Sequence, residues 1–220
     1  ALRLNTCQRV VDVVLGAFIS VLPEKITGAA NGANTSAVFA GTNPNNGKRY
    51  VYLETLGGGM GARFTKDGKD GVQVHLTNTS NLPVEAIEME YPLRVEEYSF
   101  VENSGGAGKY RGGLGIRRII RPIAHKCEFS GVGERFKHSP WGVFGGQPGK
   151  PGKFYLKHKN GKITNLSSKS SSIYTNENDA IVMETPGAGG YGNPKKRSKN
   201  NILKDKISGK FSNSFLKKYY

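Results

Sequence analysis

Ser104-Gly-Gly-Ala-Gly-Lys-Tyr-Arg-Gly-Gly-Leu-Gly-Ile-Arg-Arg-Ile-Ile-Arg121 decides the fold class, because a glycine-dense turn runs directly into an apolar stretch. Glycine supplies backbone conformations that other residues resist, while Ile-rich alternation suits a pleated strand. The same alternation of glycine or polar turns with short apolar runs recurs along the chain. It predicts strands over Ala37–Ala40, Arg49–Thr55, Val72–Leu76, Arg94–Val101, Gly115–Arg121, Lys126–Val132, Lys153–Leu156 and Ala180–Glu184. Turn signals separate them, among them Asn45-Asn-Gly47, Asn160-Gly161 and Gln147-Pro-Gly149.

Two helical patterns stand out. Thr6 is read as the N-cap of a helix running to about Leu22, apolar around most of its circumference and therefore expected to be buried. Pro83 to Glu90 predicts a short second helix. The expected class is α+β: strand-rich mixed or antiparallel sheets with glycine-rich turns, one buried N-terminal helix and a short helical C-terminal tail. No alternation of strand and helix supports a dinucleotide fold, and no repeat of 20–50 residues is present.

Charge needs a location before it has a meaning. The chain of 220 residues carries 32 Lys+Arg against 17 Asp+Glu, a formal +15, which by itself suggests a nucleic-acid partner. Residues 195–220 alone hold nine basic residues and one Asp. The boundary at residue 194 separates a body, 1–194, from a basic tail. In that tail Ile202, Leu203, Ile207, Phe211, Phe215 and Leu216 have the spacing of short helices that dock an apolar side. Cys7 and Cys127 form no metal or disulfide pattern, so a reducing, cytoplasmic setting is expected. The apolar run Val10–Leu22 is too short to span a membrane.

The chemistry-bearing residues form no standard constellation. Lys109 is followed by Tyr110 where a phosphate loop needs Ser or Thr, and no Gly-x-Ser-x-Gly elbow occurs. His75, His125, His138 and His158 share no metal spacing. His75 is distinctive because it closes the alternating Val72-Gln-Val-His-Leu and opens onto Thr77-Asn-Thr-Ser-Asn81, a polar loop of the kind that carries sites. Glu54 ends the apolar run from Tyr50 and reads either as a buried carboxylate near a site or as a polar strand end.

Seven segments taken in order resemble the hydantoinase B/5-oxoprolinase family, whose relatives include large subunits of acetone and acetophenone carboxylases. They are Asn5–Ala17, Tyr52–Ala62, Val74–Thr79, Pro83–Glu88 with Tyr91-Pro92, Ser104–Gly115, Pro140–Gly146 and Thr185–Gly192. The resemblance extends to the tail, where Leu203–Ser212 and a closing Tyr match, and makes a nucleic-acid arm the weaker reading. It implies ATP-dependent opening of a cyclic amide such as a hydantoin or 5-oxoproline, together with an A-type subunit that handles ATP. The alternatives are a related ketone carboxylase and a non-catalytic assembly module using Trp141 and Phe144 at an interface.

The resemblance further implies that this is the C-terminal part of a longer subunit whose metal motifs precede it. ATP and a divalent metal are then expected for the full complex, with no cofactor held by this part alone. His75, Asn78 and Glu54 become the candidate catalytic residues, and Gly58, Gly59, Thr77 and Arg111 the candidates to hold substrate or phosphate. Ala188, where relatives commonly carry Gly, is expected to strain a turn if that turn requires a positive φ.

Overall fold

A computed structural model describes residues 2–220, with side chains from Leu4 onward. It contains four helices and nine strands in two antiparallel sheets. The first sheet has the order β2-β1-β5-β8 and the second β3-β4-β9-β6-β7. Their strands are β1 (Thr35–Thr42), β2 (Arg49–Leu56), β3 (Leu93–Phe100), β4 (Ile116–Pro122), β5 (Cys127–Val132), β6 (Lys153–Lys157), β7 (Ile163–Leu166), β8 (Lys169–Thr175) and β9 (Ala180–Glu184). The predicted α+β class is the observed one.

Period-2 burial explains which faces meet. Along β4 and β5 every second residue is buried, and β9, central in its sheet, is buried throughout. Phe39 and Phe129 from the first sheet join Phe154, Ile120 and Met183 from the second in one apolar core. Helix α2 (Val84–Glu90) adds Ile87 to it. Phe129 stands edge-on to Phe154 at 5.9 Å, so aromatic packing knits the two layers.

A second region has almost no regular ladder. The glycine-rich segments interleave as extended backbones that hydrogen-bond one another. Gly113 N–H donates to the Met60 carbonyl at 2.9 Å, Ala188 N–H to Gly113 at 3.0 Å and Gly106 N–H to Ala188 at 2.8 Å. At Gly113 a Cβ would collide with the Lys69 carbonyl oxygen, so the side chain is excluded by the approach of the neighbouring backbone. Ala188 is fully buried here without a positive φ, so the expected strain does not arise.

Three expectations need correction. Thr6 is not an N-cap, since α1 runs over Leu2–Ala17 and contains it. Nor is that helix buried on its apolar side: Val10, Val13 and Val14 are 55%, 65% and 50% exposed, while Asn5, Gln8 and Asp12 are buried. Spacings of three and four put those polar residues on one face, and this polar stripe faces the body because it finds hydrogen-bond partners there. Finally, Val72–Leu76 is not a strand. Its register is limited to a single bridge between Val72 and Gly58, and the chain turns at His75, where φ is 54°.

From Pro194 to the end the chain forms a 3₁₀ turn at Pro194–Lys196, α3 (Lys199–Ile207) and α4 (Asn213–Tyr219). Ser198 and Ser212 cap α3 and α4 by accepting from Asn201 and Phe215 N–H. Phe211 and Leu216 pack on Leu114, whereas Leu203 and Ile207 remain exposed.

Candidate functional site

The polar stripe of α1 meets the loop 72–77. Gln8 Nε2 donates to the Val74 carbonyl at 2.8 Å and to Thr77 Oγ1 at 3.2 Å, while Asn5 Oδ1 accepts from Asn34 N–H at 2.6 Å. Asp12 lies at the centre. Its carboxylate pairs with Arg9 at 2.8 Å, with Arg135 at 2.8 Å and with His75 Nε2 at 3.1 Å. Burial alone would raise the Asp12 carboxyl, but the His75 hydrogen bond and the Arg9 and Arg135 charges more than offset it and hold the group below its ordinary range. Asp12 is therefore ionised and accepts, so His75 Nε2 is the donor of this pair.

Both residues that reach Asp12 from outside the helix have a left-handed backbone: His75 at φ 54° and Arg135 at φ 60°. Non-glycine residues pay for that conformation, and such positions concentrate at sites. The side chain of His75 is 15% exposed.

Asn78 lies on the next part of the same loop. With Asn81, Gly57, Gly71, Lys69 and Tyr98 it borders a cleft of ≈ 490 Å³. Behind Asn81 sits Glu54, which accepts from Asn81 Nδ2 at 2.9 Å and pairs with Arg118 at 2.6 Å. Burial drives the Glu54 carboxyl up, and the Arg118 charge and Asn81 hydrogen bond only partly counter it. The Arg118 guanidinium stacks 4.3 Å from the Tyr98 ring, whose hydroxyl donates to Asn81 Oδ1 at 3.2 Å.

The loop 72–81 thus carries His75 and Thr77 against α1, and Asn78 and Asn81 on the cleft. Thr77 is engaged with Gln8 and Gln73. The amides of Gly58 and Gly59 donate to the Val72 and Pro186 carbonyls, both at 3.0 Å, so they belong to the interleaved backbone.

Arg111 is held by carboxylates of its own. Its guanidinium pairs with Asp70 at 2.8 Å and Asp205 at 3.1 Å; Arg197 bonds Asp205 at 2.7 Å and Asp67 at 2.7 Å; Lys210 bonds Asp70 at 2.7 Å. This network fastens the tail to the glycine-rich region.

Other titratable groups have structural partners. His125 Nε2 lies 2.6 Å from the Tyr50 hydroxyl, and His158 sits on the β6–β7 hairpin beside Thr164. Cys127 is buried and its thiol is pushed up to about 12 by burial, which disfavours a thiolate nucleophile. Among the described residues no three His, Cys, Asp or Glu side chains converge to hold a metal ion. No helix among them is long and apolar enough to cross a membrane.

Sequence reading missed Asp12, Arg135, Arg118 and Asn81. Asp12 carried a usable signal: it is the single carboxylate of α1 and interrupts the apolar run Val10–Leu15, a position that requires a partner once buried. Arg135 gave none, because its partner lies 123 residues away.

Known proteins share this architecture and sequence. An uncharacterised protein of Methanocaldococcus jannaschii is 44% identical over 210 residues, covering 96% of this chain and 36% of the relative. The 5-oxoprolinase 1 of Arabidopsis thaliana is 36% identical over 190 residues, or 85% of this chain and 14% of that protein. The chain therefore spans about a third or less of these relatives. The crystal structure of the ATP-dependent caprolactamase from Pseudomonas jessenii superposes with a TM-score of 0.79 at 22% identity, over 91% of this chain and 36% of that one. The sequence profile described as hydantoinase B/oxoprolinase matches residues 1–194, and the chain belongs to that family.

Proposed function

We propose that the chain serves as the C-terminal region of a B-type subunit in an ATP-dependent enzyme that opens a cyclic amide, acting with an A-type subunit. The observation that carries this reading is the family match over residues 1–194, in a family whose relatives of this chain include a 5-oxoprolinase. ATP is a co-substrate handled elsewhere in the assembly, since the glycine-rich amides here are committed to one another.

Within this reading His75, oriented by Asp12, exchanges a proton through Nδ1, and Asn78 orients a substrate carbonyl from the rim of its cleft. Glu54 acts through Asn81, fixing its amide against Tyr98. Arg111, held by Asp70 and Asp205, contributes by anchoring the tail. In the assembled enzyme His75→Gln should lower kcat for ring opening by about 10²-fold, and Asn78→Ala should raise KM. Unchanged turnover in both variants would assign the chain to assembly alone. The exposed Val10, Val13 and Val14 on α1 favour that second reading, because an apolar helix face suits a subunit contact.

A further inference from the structure

The neighbourhood of Asp12 has more cationic than anionic partners. Arg9 and Arg135 share the Asp12 carboxylate, and Glu134, which lines the same cleft and acts on both guanidiniums, is itself shared with Lys169 at 3.0 Å. The Nε atoms of Arg9 and Arg135 are buried with no hydrogen-bond partner. Burial first, and then repulsion by Arg135, bring Arg9 down to about 10, with Asp12 and Glu134 countering only in part.

These groups border a cleft of ≈ 290 Å³, whose lining includes Arg9, Arg135, Lys137, His138 and Trp141. The Arg135 guanidinium stacks 4.7 Å from the Trp141 ring, which fixes the plane of its donors. Arg135 is held there by a backbone at φ 60° and by donation to Asp12 and the Ser139 carbonyl. A guanidinium fork oriented in this way suits a planar or tetrahedral oxyanion.

We propose that this cleft binds a small oxyanion, a carboxylate or a phosphate, against Arg9, Arg135 and the rim Lys137, whose positive charges outnumber the carboxylates Asp12 and Glu134 in the same cleft. Asp12 occupies one edge of each guanidinium and orients both; Lys137 and His138 form the rim. The site shares Asp12 with the His75 hydrogen bond, and its test reads anion binding and not turnover.

Trp141 is the single tryptophan of the chain, so its fluorescence reads this cleft directly. The experiment titrates the purified protein with sodium phosphate and, separately, with sodium glutamate, against sodium chloride at equal ionic strength. A saturable change with phosphate or with glutamate, absent with chloride, is expected, and the more effective salt identifies the anion. Arg9→Gln should weaken the apparent Kd by about tenfold, the loss of one charge-assisted contact. Lys137→Glu, an exposed change that leaves the buried contacts intact, should weaken it in the same direction. An equal response to chloride, or saturation unaffected by both variants, would overturn the proposal.

Discussion

Arg118 and Glu54, 64 residues apart in sequence, form an ion pair 2.6 Å long with side chains only 0% and 4% exposed. A charge taken so far from water survives only with its partner in place. Removing Arg118 alone should leave the Glu54 carboxyl uncompensated and destabilise the protein by about 3–5 kcal/mol. The double change Arg118→Met with Glu54→Leu should cost less than Arg118→Met alone. Urea denaturation of the three variants measures this, and additive losses would show that the two residues are not coupled.

The glycine-rich region makes a sharper prediction. Gly113→Ala places a Cβ on the Lys69 carbonyl and near Met60 N, both backbone atoms that cannot swing away. It should therefore prevent cooperative folding of the protein. Gly47→Ala meets no atom within 4 Å and strains only a turn residue at φ 68°, so it should cost about 1 kcal/mol. Circular dichroism melts separate the two outcomes.

Asp12 and Asp70 set the response to acid. Burial raises both carboxyls, but His75, Arg9 and Arg135 around Asp12, and Arg111, Lys210 and the Leu114 amide around Asp70, hold each below the ordinary 3.8. The unfolded chain then takes up protons before the folded one. The stabilisation is complete above pH about 4 and is lost as pH falls through the depressed folded-state values. Melting temperature should drop over that range, and Asp70→Asn should flatten the drop while lowering stability at pH 7.

Much of this fold is legible because local pattern and tertiary environment agree. β4, β9 and α2 each lie within a residue or two of the expected boundaries, since Ile116–Ile120 and Ala180–Met183 carry strong β patterns and Val84–Glu90 follows a proline that starts a helix. β7 and β8 went unread because Ile163–Leu166 and Lys169–Thr175 are largely polar and lie at sheet edges, where burial imposes little alternation. Val72–Leu76 alternates yet is no strand, because its groups serve α1 and the Gly58 bridge instead of a ladder. The site was half legible: the polar loop from His75 to Asn81 announces itself, but the groups that orient it, Asp12 and Arg118, come from distant segments.

The tail is fastened chiefly by Asp205, which receives both Arg111 and Arg197. Asp205→Ala should loosen residues 195–220 on the body and cost about 1–3 kcal/mol, since it removes the carboxylate shared by two buried guanidiniums and leaves Arg111 with Asp70 and Arg197 with Asp67. Amide hydrogen exchange should rise across α3 and α4 while the two sheets remain protected. Uniform exchange across the chain would contradict a locally anchored tail.

The proposed activity has a direct isotopic test. In ATP-dependent opening, the amide oxygen takes the γ-phosphoryl group and ADP is released. Water adds to the activated carbon, the C–N bond breaks with the nitrogen leaving protonated, and a second water attacks the resulting acyl phosphate at carbon, so that phosphate leaves carrying the original amide oxygen. The protein, assembled with its A-type partner, is incubated with ATP and with 5-oxoproline or hydantoin labelled with oxygen-18 at the ring carbonyl that is opened. The account predicts one labelled oxygen in inorganic phosphate, and one ADP, for each ring opened. Ring opening without ADP, or label retained entirely in the carboxylate product, would contradict it.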